Sequence, residues 1–284
     1  MGDITFFKGQ ALGNDYFVID AATLPAPLTT DQAVLLCDRH RGAGSDGVLL
    51  ADLSTTPVTL RIINPDGTDA EKSGNGLRIF GAYLFHHGLV QRDEWFDVRL
   101  PRDTVSMRIE DDLDDGAVMI RARMGRASFE GSLIAFEPEP GEALGYELAL
   151  PHGGSAAVNT VYLGNPHCVV FVDELDRADF VARAPQLCTH AAFGAGTNVQ
   201  FARVIGPREL EIWIWERGAG ETLASGSSAC AATAAAVRRG FVQPGQFDVQ
   251  MPGGHAEITV SEDFEIELLG PAQMLYAARW LVPS

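Results

Sequence analysis

The chain has 284 residues, is 46% hydrophobic and carries a formal net charge of −17. That length supports one large domain or two ordinary ones with a substantial core. The acidity disfavours nucleic acid and anionic membrane as partners, because both reward basic surfaces. Its apolar runs fall well short of the about 20 residues that span a bilayer.

The opening residues 1–10, MGDITFFKGQ, lack the basic and long apolar regions of a signal peptide, so a cytoplasmic location is expected. Short runs rich in β-branched and aromatic residues follow and read as strands: ITFFKGQAL (4–12), YFVID (16–20), GVLLADL (47–53), VTLRIIN (58–64) and FDVRL (96–100). Two helices interrupt them. TDQAVLLCDRH (30–40) has a Thr/Asp start, and the stretch after Ser73 in EKSGNGLRIFGAYL (71–84) is amphipathic. The acidic, Gly-broken residues 110–119, EDDLDDGAVM, read as a link. Strands resume with VNTVYLG (158–164), CVVFVD (168–173), NVQFARV (198–204), ELEIWIWE (209–216) and AEITV (256–260). Helices are expected near residues 182–190 and after Ser225 in ETLASGSSACAATAAAV (221–237). A last run, MLYAARWLV (274–282), returns to the first half.

The chain repeats itself. GNDYFVID at Gly13 recurs as GNPHCVVFVD at Gly164, GAGSD at Gly42 as GAGTN at Gly194, and the Ser-Gly of Ser73 as that of Ser225. The same order and an almost constant spacing mark two homologous halves. The expected fold is α+β: two pseudo-symmetric domains, each a curved β-sheet or barrel around a central helix. The first comprises residues 1–118 completed by 272–284, and the second residues 119–271.

A helix start exposes unpaired N–H groups and about half a positive charge, which attract a carboxylate or phosphate. Paired Ser-Gly starts in related halves predict a small anion held between them. Asn14, Asn64, Asn165 and Asn198 lie beside these motifs, at strand ends or turns. Glu216 and Arg217 close an apolar strand. Arg binds a carboxylate in fork geometry and Glu accepts an ammonium, so a zwitterionic ligand is expected. Only Lys8 and Lys72 are lysines, and neither is placed as a Schiff-base residue, so pyridoxal phosphate is not expected. The cysteines Cys37, Cys168, Cys188 and Cys230 have no metal-ligand spacing, and no metal is expected.

The motifs GNDYFVID, NPDGTDAEKSGNG, GNPHCVVFVD, GTNVQF and ERGAGETLASGSSACA resemble those of the diaminopimelate epimerase family over nearly the whole chain. The resemblance implies a cofactor-independent (PLP-independent) amino-acid epimerase or racemase of lysine biosynthesis. Such enzymes have two thiols flanking the substrate Cα, in a cleft between two α/β domains. It places Asn14, Asn64, Asn165, Asn198, Glu216 and Arg217 on substrate. It places Gly74-Asn75 and Gly226-Ser227 around the carboxylate, and His167 near the catalytic pair. The thiol positions here are Ser73 and Ser225.

A serine needs another group to take its proton, and His167 and Glu216 are the candidates. Asp46 loosely resembles the catalytic acid of phenazine-biosynthesis isomerases. Three readings of the double serine stand: cysteines replaced in an ordinary epimerase, a natural branch that still transfers protons, and a binding protein without catalysis. LRIF after Ser-Gly-Asn-Gly and GSSACAAT at the second site favour a natural branch. The expected isomerase acts at the Cα of an amino acid such as diaminopimelate. The alternatives are a silent amino-acid-binding homologue or an isomerase or cyclase with a single carboxylate base. The oligomeric state is open, with a homodimer among the options.

Overall fold

A computed structural model describes residues 3–139 and 141–281. The chain divides into two compact units, Met1–Arg123 with Leu269–Ser284, and Met124–Leu268. Val282, at the end of the expected 274–282 strand, lies outside the described residues, as do the ends of the expected first domain.

In the first unit β1 (Ile4–Ala11) and β2 (Asn14–Asp20) form an antiparallel hairpin. Helix α1 (Thr30–Cys37) then leads to β3 (Val48–Asp52), parallel to β2. A capping box between Thr29 and Gln32 starts α1. The expected helix runs to residue 40, but it ends at Cys37 because Asp38 turns extended and its carboxylate takes the His40 and Arg41 N–H groups. β4 (Val58–Ile63) and the short β5 (Asp69–Ala70) follow antiparallel. Helix α2 (Gly74–His86) crosses to β6 (Trp95–Arg99), parallel to β4. β7 (Thr104–Asp112) and β8 (Ala117–Arg126) complete the series.

The second unit repeats this connectivity. β9 (Leu144–Ala149) precedes the hairpin β10 (Ser155–Tyr162) and β11 (Pro166–Phe171). Helix α3 (Arg177–Cys188) leads to β12 (Asn198–Gly206), parallel to β11. β13 (Glu209–Glu216) and β14 (Gly220–Thr222) follow antiparallel. Helix α4 (Gly226–Arg238) crosses to β15 (Gly245–Met251), parallel to β13, and β16 (Gly254–Val260) pairs with β15. The long β17 (Glu265–Trp280) ends against β1, so the chain returns to the first unit as expected.

Helix α3 starts five residues earlier than expected, because Asp176 caps the Asp179 N–H. Residues 110–119 are not a link. They are the tip of the β7–β8 hairpin, where Glu110 takes Arg121 and Arg108, and Ile109 and Ile120 are fully buried. The acidic stretch reads as a link because its counter-charges, Arg108 on the same strand and Arg121 on the next, lie outside it.

Each unit is built round one buried helix. α2 packs on β1, β2 and β7, and α4 on β10, β12 and β16. Residues 74–84 and 226–237 are buried without a break, so neither helix has a solvent face. Small residues permit this: α4 is largely Ala, Ser and Gly. Phe6, Phe17 and Leu36 anchor one core, and Phe180, Leu187 and Phe201 the other. All four cysteines are buried. No helix among the described residues is long and apolar enough to cross a membrane.

Candidate active site

Both helix starts have the same backbone. Ser73 is extended (φ −135°, ψ 115°), and so is Ser225 (φ −147°, ψ 119°). The first intrahelical bonds run from Leu77 N–H to Ser73 and from Ala229 N–H to Ser225, so the N–H groups before them point out of each helix.

The hydroxyls differ. Ser73 Oγ accepts from Gly76 N–H at 3.0 Å and lies 3.4 Å from the Tyr16 hydroxyl. Ser225 makes no cap bond; its Oγ is 3.5 Å from Ser227 Oγ, and the side chains of both are buried. Gly76 packs closely here: a Cβ would come within 3.1 Å of Leu49 and 3.3 Å of Ser73, so those side chains would have to give way by a few tenths of an ångström.

The polar residues around Ser73 form one chain. Arg78, fully buried, donates to Asn75 Oδ1 at 2.8 Å, and Asn75 Nδ2 donates to Asn14 Oδ1 at 3.2 Å. Asn14 Nδ2 donates to Asp46 Oδ2 at 2.7 Å. Asp46 also takes the Asp15 N–H at 3.0 Å and Arg39 at 2.8 Å. It is therefore committed to holding Asn14, which argues against its use as a lone base. Asn64 stands apart from this chain, donating to Thr68 Oγ1 at 3.0 Å across the β4–β5 turn. Lys72 reaches Asp103 at 2.8 Å.

In the second unit Asn165, His167 and Asn198 come together on adjacent strands. Asn165 Oδ1 accepts from His167 Nε2 at 2.8 Å, and Gln200 Nε2 donates to His167 Nδ1 at 3.1 Å and to Ser228 Oγ at 2.9 Å. An amide oxygen can only accept and an amide NH₂ can only donate, so the imidazole is neutral with its proton on Nε2. Asn198 Oδ1 accepts the Arg217 N–H at 2.9 Å, and its Nδ2 donates to the Pro166 carbonyl at 3.0 Å. Arg217 donates to the Ala195 carbonyl at 3.2 Å, with its side chain exposed beside a half-buried Glu216.

This argues against His167 as a group that takes the proton of either serine. Both ring nitrogens are occupied, the residue is 0% exposed, and burial, with the Arg217 charge adding to it, pushes the imidazole down to about 3. A histidine held so low is a poor base near neutral pH. His167 and Gln200 instead fix the Asn165 amide and the Ser228 hydroxyl. Gln200 escaped the sequence reading. The available signal is its period-2 match with Asn198, which puts a polar side chain on the same inward face of an apolar strand.

A pH prediction follows from the depressed histidine. Unfolded, it titrates near 6.5; folded, near 3. As pH falls below about 6.5 the unfolded chain gains a proton that the fold refuses, so stability is lost at about 1.4 kcal/mol per pH unit. Urea midpoints of His167→Gln between about pH 6 and 4 are expected to fall less steeply than wild type. Equal slopes would remove the assignment of a neutral buried imidazole.

Among the described residues no group of three or more His, Cys, Asp or Glu could hold a metal ion.

Two units with the same connectivity, each opening its central helix at a Ser-Gly, define a duplicated α+β fold that solved structures share. The chain superposes on a hydroxyproline epimerase from Agrobacterium vitis with a TM-score of 0.72 at 14% identity, covering 98% of this chain and 92% of that one. It likewise resembles a phenazine biosynthesis family protein from Bacillus anthracis, with a TM-score of 0.71 at 15% identity over 99% and 100% of the two chains. Its sequence is 37% identical to a diaminopimelate epimerase from Pelotomaculum thermopropionicum over 97% of this chain and 98% of the relative. It is 40% identical to diaminopimelate epimerase 2 from a Nostoc species, over 93% of this chain and 90% of the relative. The diaminopimelate epimerase family model matches residues 6–130 and 159–275. The chain belongs to the diaminopimelate epimerase family, a family of isomerases.

Proposed function

We propose that this chain moves a proton at the Cα of an amino acid such as diaminopimelate without a cofactor. The first turns of α2 and of α4 each offer N–H groups that suit an α-carboxylate. Ser73 and Ser225 stand at the positions that the family resemblance gives to thiols. Asn64, Asn198, Glu216 and Arg217 are the candidates for the polar far end and the ammonium. Glu216 is the candidate carboxylate base, and His167 acts by holding Asn165. The observation that carries the proposal is the pair of Ser-Gly helix starts with matching backbone angles in units of matching connectivity. Oriented N–H groups there would hold a carboxylate and stabilise the negative charge that develops as Cα loses its proton.

One observation favours a second reading, an amino-acid-binding homologue without turnover. Among the described residues neither serine hydroxyl is hydrogen-bonded to a carboxylate or an imidazole.

The two readings separate in heavy water. NMR of diaminopimelate and a panel of amino acids is expected to show deuterium entering at Cα with the protein present and not without it. Calorimetric binding of a panel member with no deuterium entry would establish the silent homologue instead.

A further inference from the structure

An aliphatic hydroxyl is a poor proton acceptor, so a serine at a reacting carbon needs a partner that titrates. In the first unit, among the described residues, the Tyr16 phenol oxygen lies 3.4 Å from the Ser73 hydroxyl, which also accepts the Gly76 N–H. Tyr16 lies on β2, two residues after Asn14, and is 7% exposed. Its ring has a seat made for it: at Gly47 an added Cβ would approach Tyr16 Cε1 to 2.7 Å, and the glycine's φ of +154° disfavours other residues. The phenol thus reaches the positive end of α2 on a rigid strand, and a helix N-terminus favours an anion there. A free phenol titrates near about 10, several units below an aliphatic hydroxyl and within about two units of a thiol.

We infer that Tyr16 is the proton-relay partner of Ser73. The inference rests on the isomerase reading above and supplies the titrating group that Ser73 lacks. When the first unit's face takes the proton, the Cα–H bond breaks and its electron pair stays on the substrate carbon. That proton moves to Ser73 Oγ, while the hydroxyl's own proton passes to the Tyr16 phenolate. Delivery reverses each transfer: the phenol returns a proton to Ser73 as Ser73 gives one to the carbanion. No oxidant or second substrate is required. The charged groups on the elements around Tyr16 are already engaged. Lys8 and Arg39 hold Asp15, Asp46 takes Arg39 and Asn14, Lys72 takes Asp103, and Arg78 takes the Gly74 carbonyl and Asn75.

The test is Cα deuterium exchange measured from about pH 6 to 10 on the full chain with each diaminopimelate stereoisomer. Wild-type exchange is expected to rise with pH as the phenolate forms. Tyr16→Phe keeps the ring against Gly47 and removes only the hydroxyl. It is expected to lower exchange about 100-fold at the face served by Ser73 and to flatten the alkaline rise. Replacing tyrosine by 3-fluorotyrosine lowers phenol pKa values and is expected to move the rise to lower pH in the wild-type background but not in Tyr16→Phe. A Tyr16→Phe protein with the wild-type rate and pH profile overturns the relay and leaves the isomerase reading standing. So does an alkaline rise that fluorotyrosine does not move. Absence of exchange by wild type across this pH range overturns the isomerase reading itself, and the relay with it.

Discussion

Ser73→Cys combined with Ser225→Cys is expected to raise Cα deuterium exchange by about 10² to 10⁴-fold, the range that a positioned acid–base group contributes. A thiol titrates near about 8.5, and a helix N-terminus lowers it further. An aliphatic hydroxyl lies nearer the about 15.7 of water. At about 1.4 kcal/mol per unit, the seven or so units between them cost roughly 10 kcal/mol in forming the anion. The helix dipole recovers only about 0.3–2 kcal/mol of that. The rate gain is smaller than the full difference because a more acidic thiol is also a weaker base. Each single cysteine variant is expected to accelerate exchange less than the double variant, since each supplies one thiol. The measurement is NMR exchange on the three diaminopimelate stereoisomers, with the thiols titrated by alkylation to establish that they form thiolates. Exchange no faster in the double variant than in wild type would mean that these helix starts do not flank a reacting carbon.

Asp15→Asn is expected to destabilise the protein by about 3–5 kcal/mol at neutral pH, the cost of breaking a buried ion pair from one side. Asp15 meets Lys8 at 2.5 Å and Arg39 at 2.6 Å, and the Lys8 and Asp15 side chains are only 13% and 11% exposed. Without the carboxylate, the Lys8 ammonium keeps the Gly44 carbonyl and the face of Phe17, neither of which neutralises it. Burial alone would raise the Asp15 carboxyl, but hydrogen bonds from Arg39 and Lys8 outweigh burial and hold it below the usual range. A depressed carboxylate contributes stability above its unfolded value of about 3.9 and loses it as pH falls through the folded value. Wild type and Asp15→Asn should therefore differ most at pH 7 and begin to converge as pH falls below about 4. The site is affected too, because Arg39 also holds Asp46, and Asp46 holds Asn14. Denaturant unfolding at pH 7 and pH 3 reads both effects. A neutral-pH difference below about 1 kcal/mol would reduce this cluster to a surface salt bridge.

Much of this was legible in the sequence because its signals are local. The strand ELEIWIWE was expected at 209–216, and β13 occupies Glu209–Glu216. Ser73 and Ser225 were read as helix starts from the Ser-Gly spacing and stand as N-caps. The duplication was visible because two copies of one structure need the same glycines and turns at the same spacing. β7, β8, β9 and β15 were passed over, since their polar faces hide apolar residues that appear only when a neighbouring strand covers them. Val105, Met107 and Ile109 alternate with charge along β7 and are fully buried.

Sequence alone therefore determined the repeated frame, the two helix starts and the membership of an isomerase family, each of which rests on residues close together in the chain. Tertiary structure alone decided how the titratable groups are held. His167 looks like a base beside Asn165. It is neutral because Gln200, 33 residues away on the next strand, occupies its second nitrogen at zero exposure. Tyr16 looks like one more core aromatic, yet it meets Ser73, 57 residues away, at hydrogen-bond range. Protonation depends on burial and on the direction of nearby donors, and both are set by strands and helices that the fold brings together from distant parts of the chain.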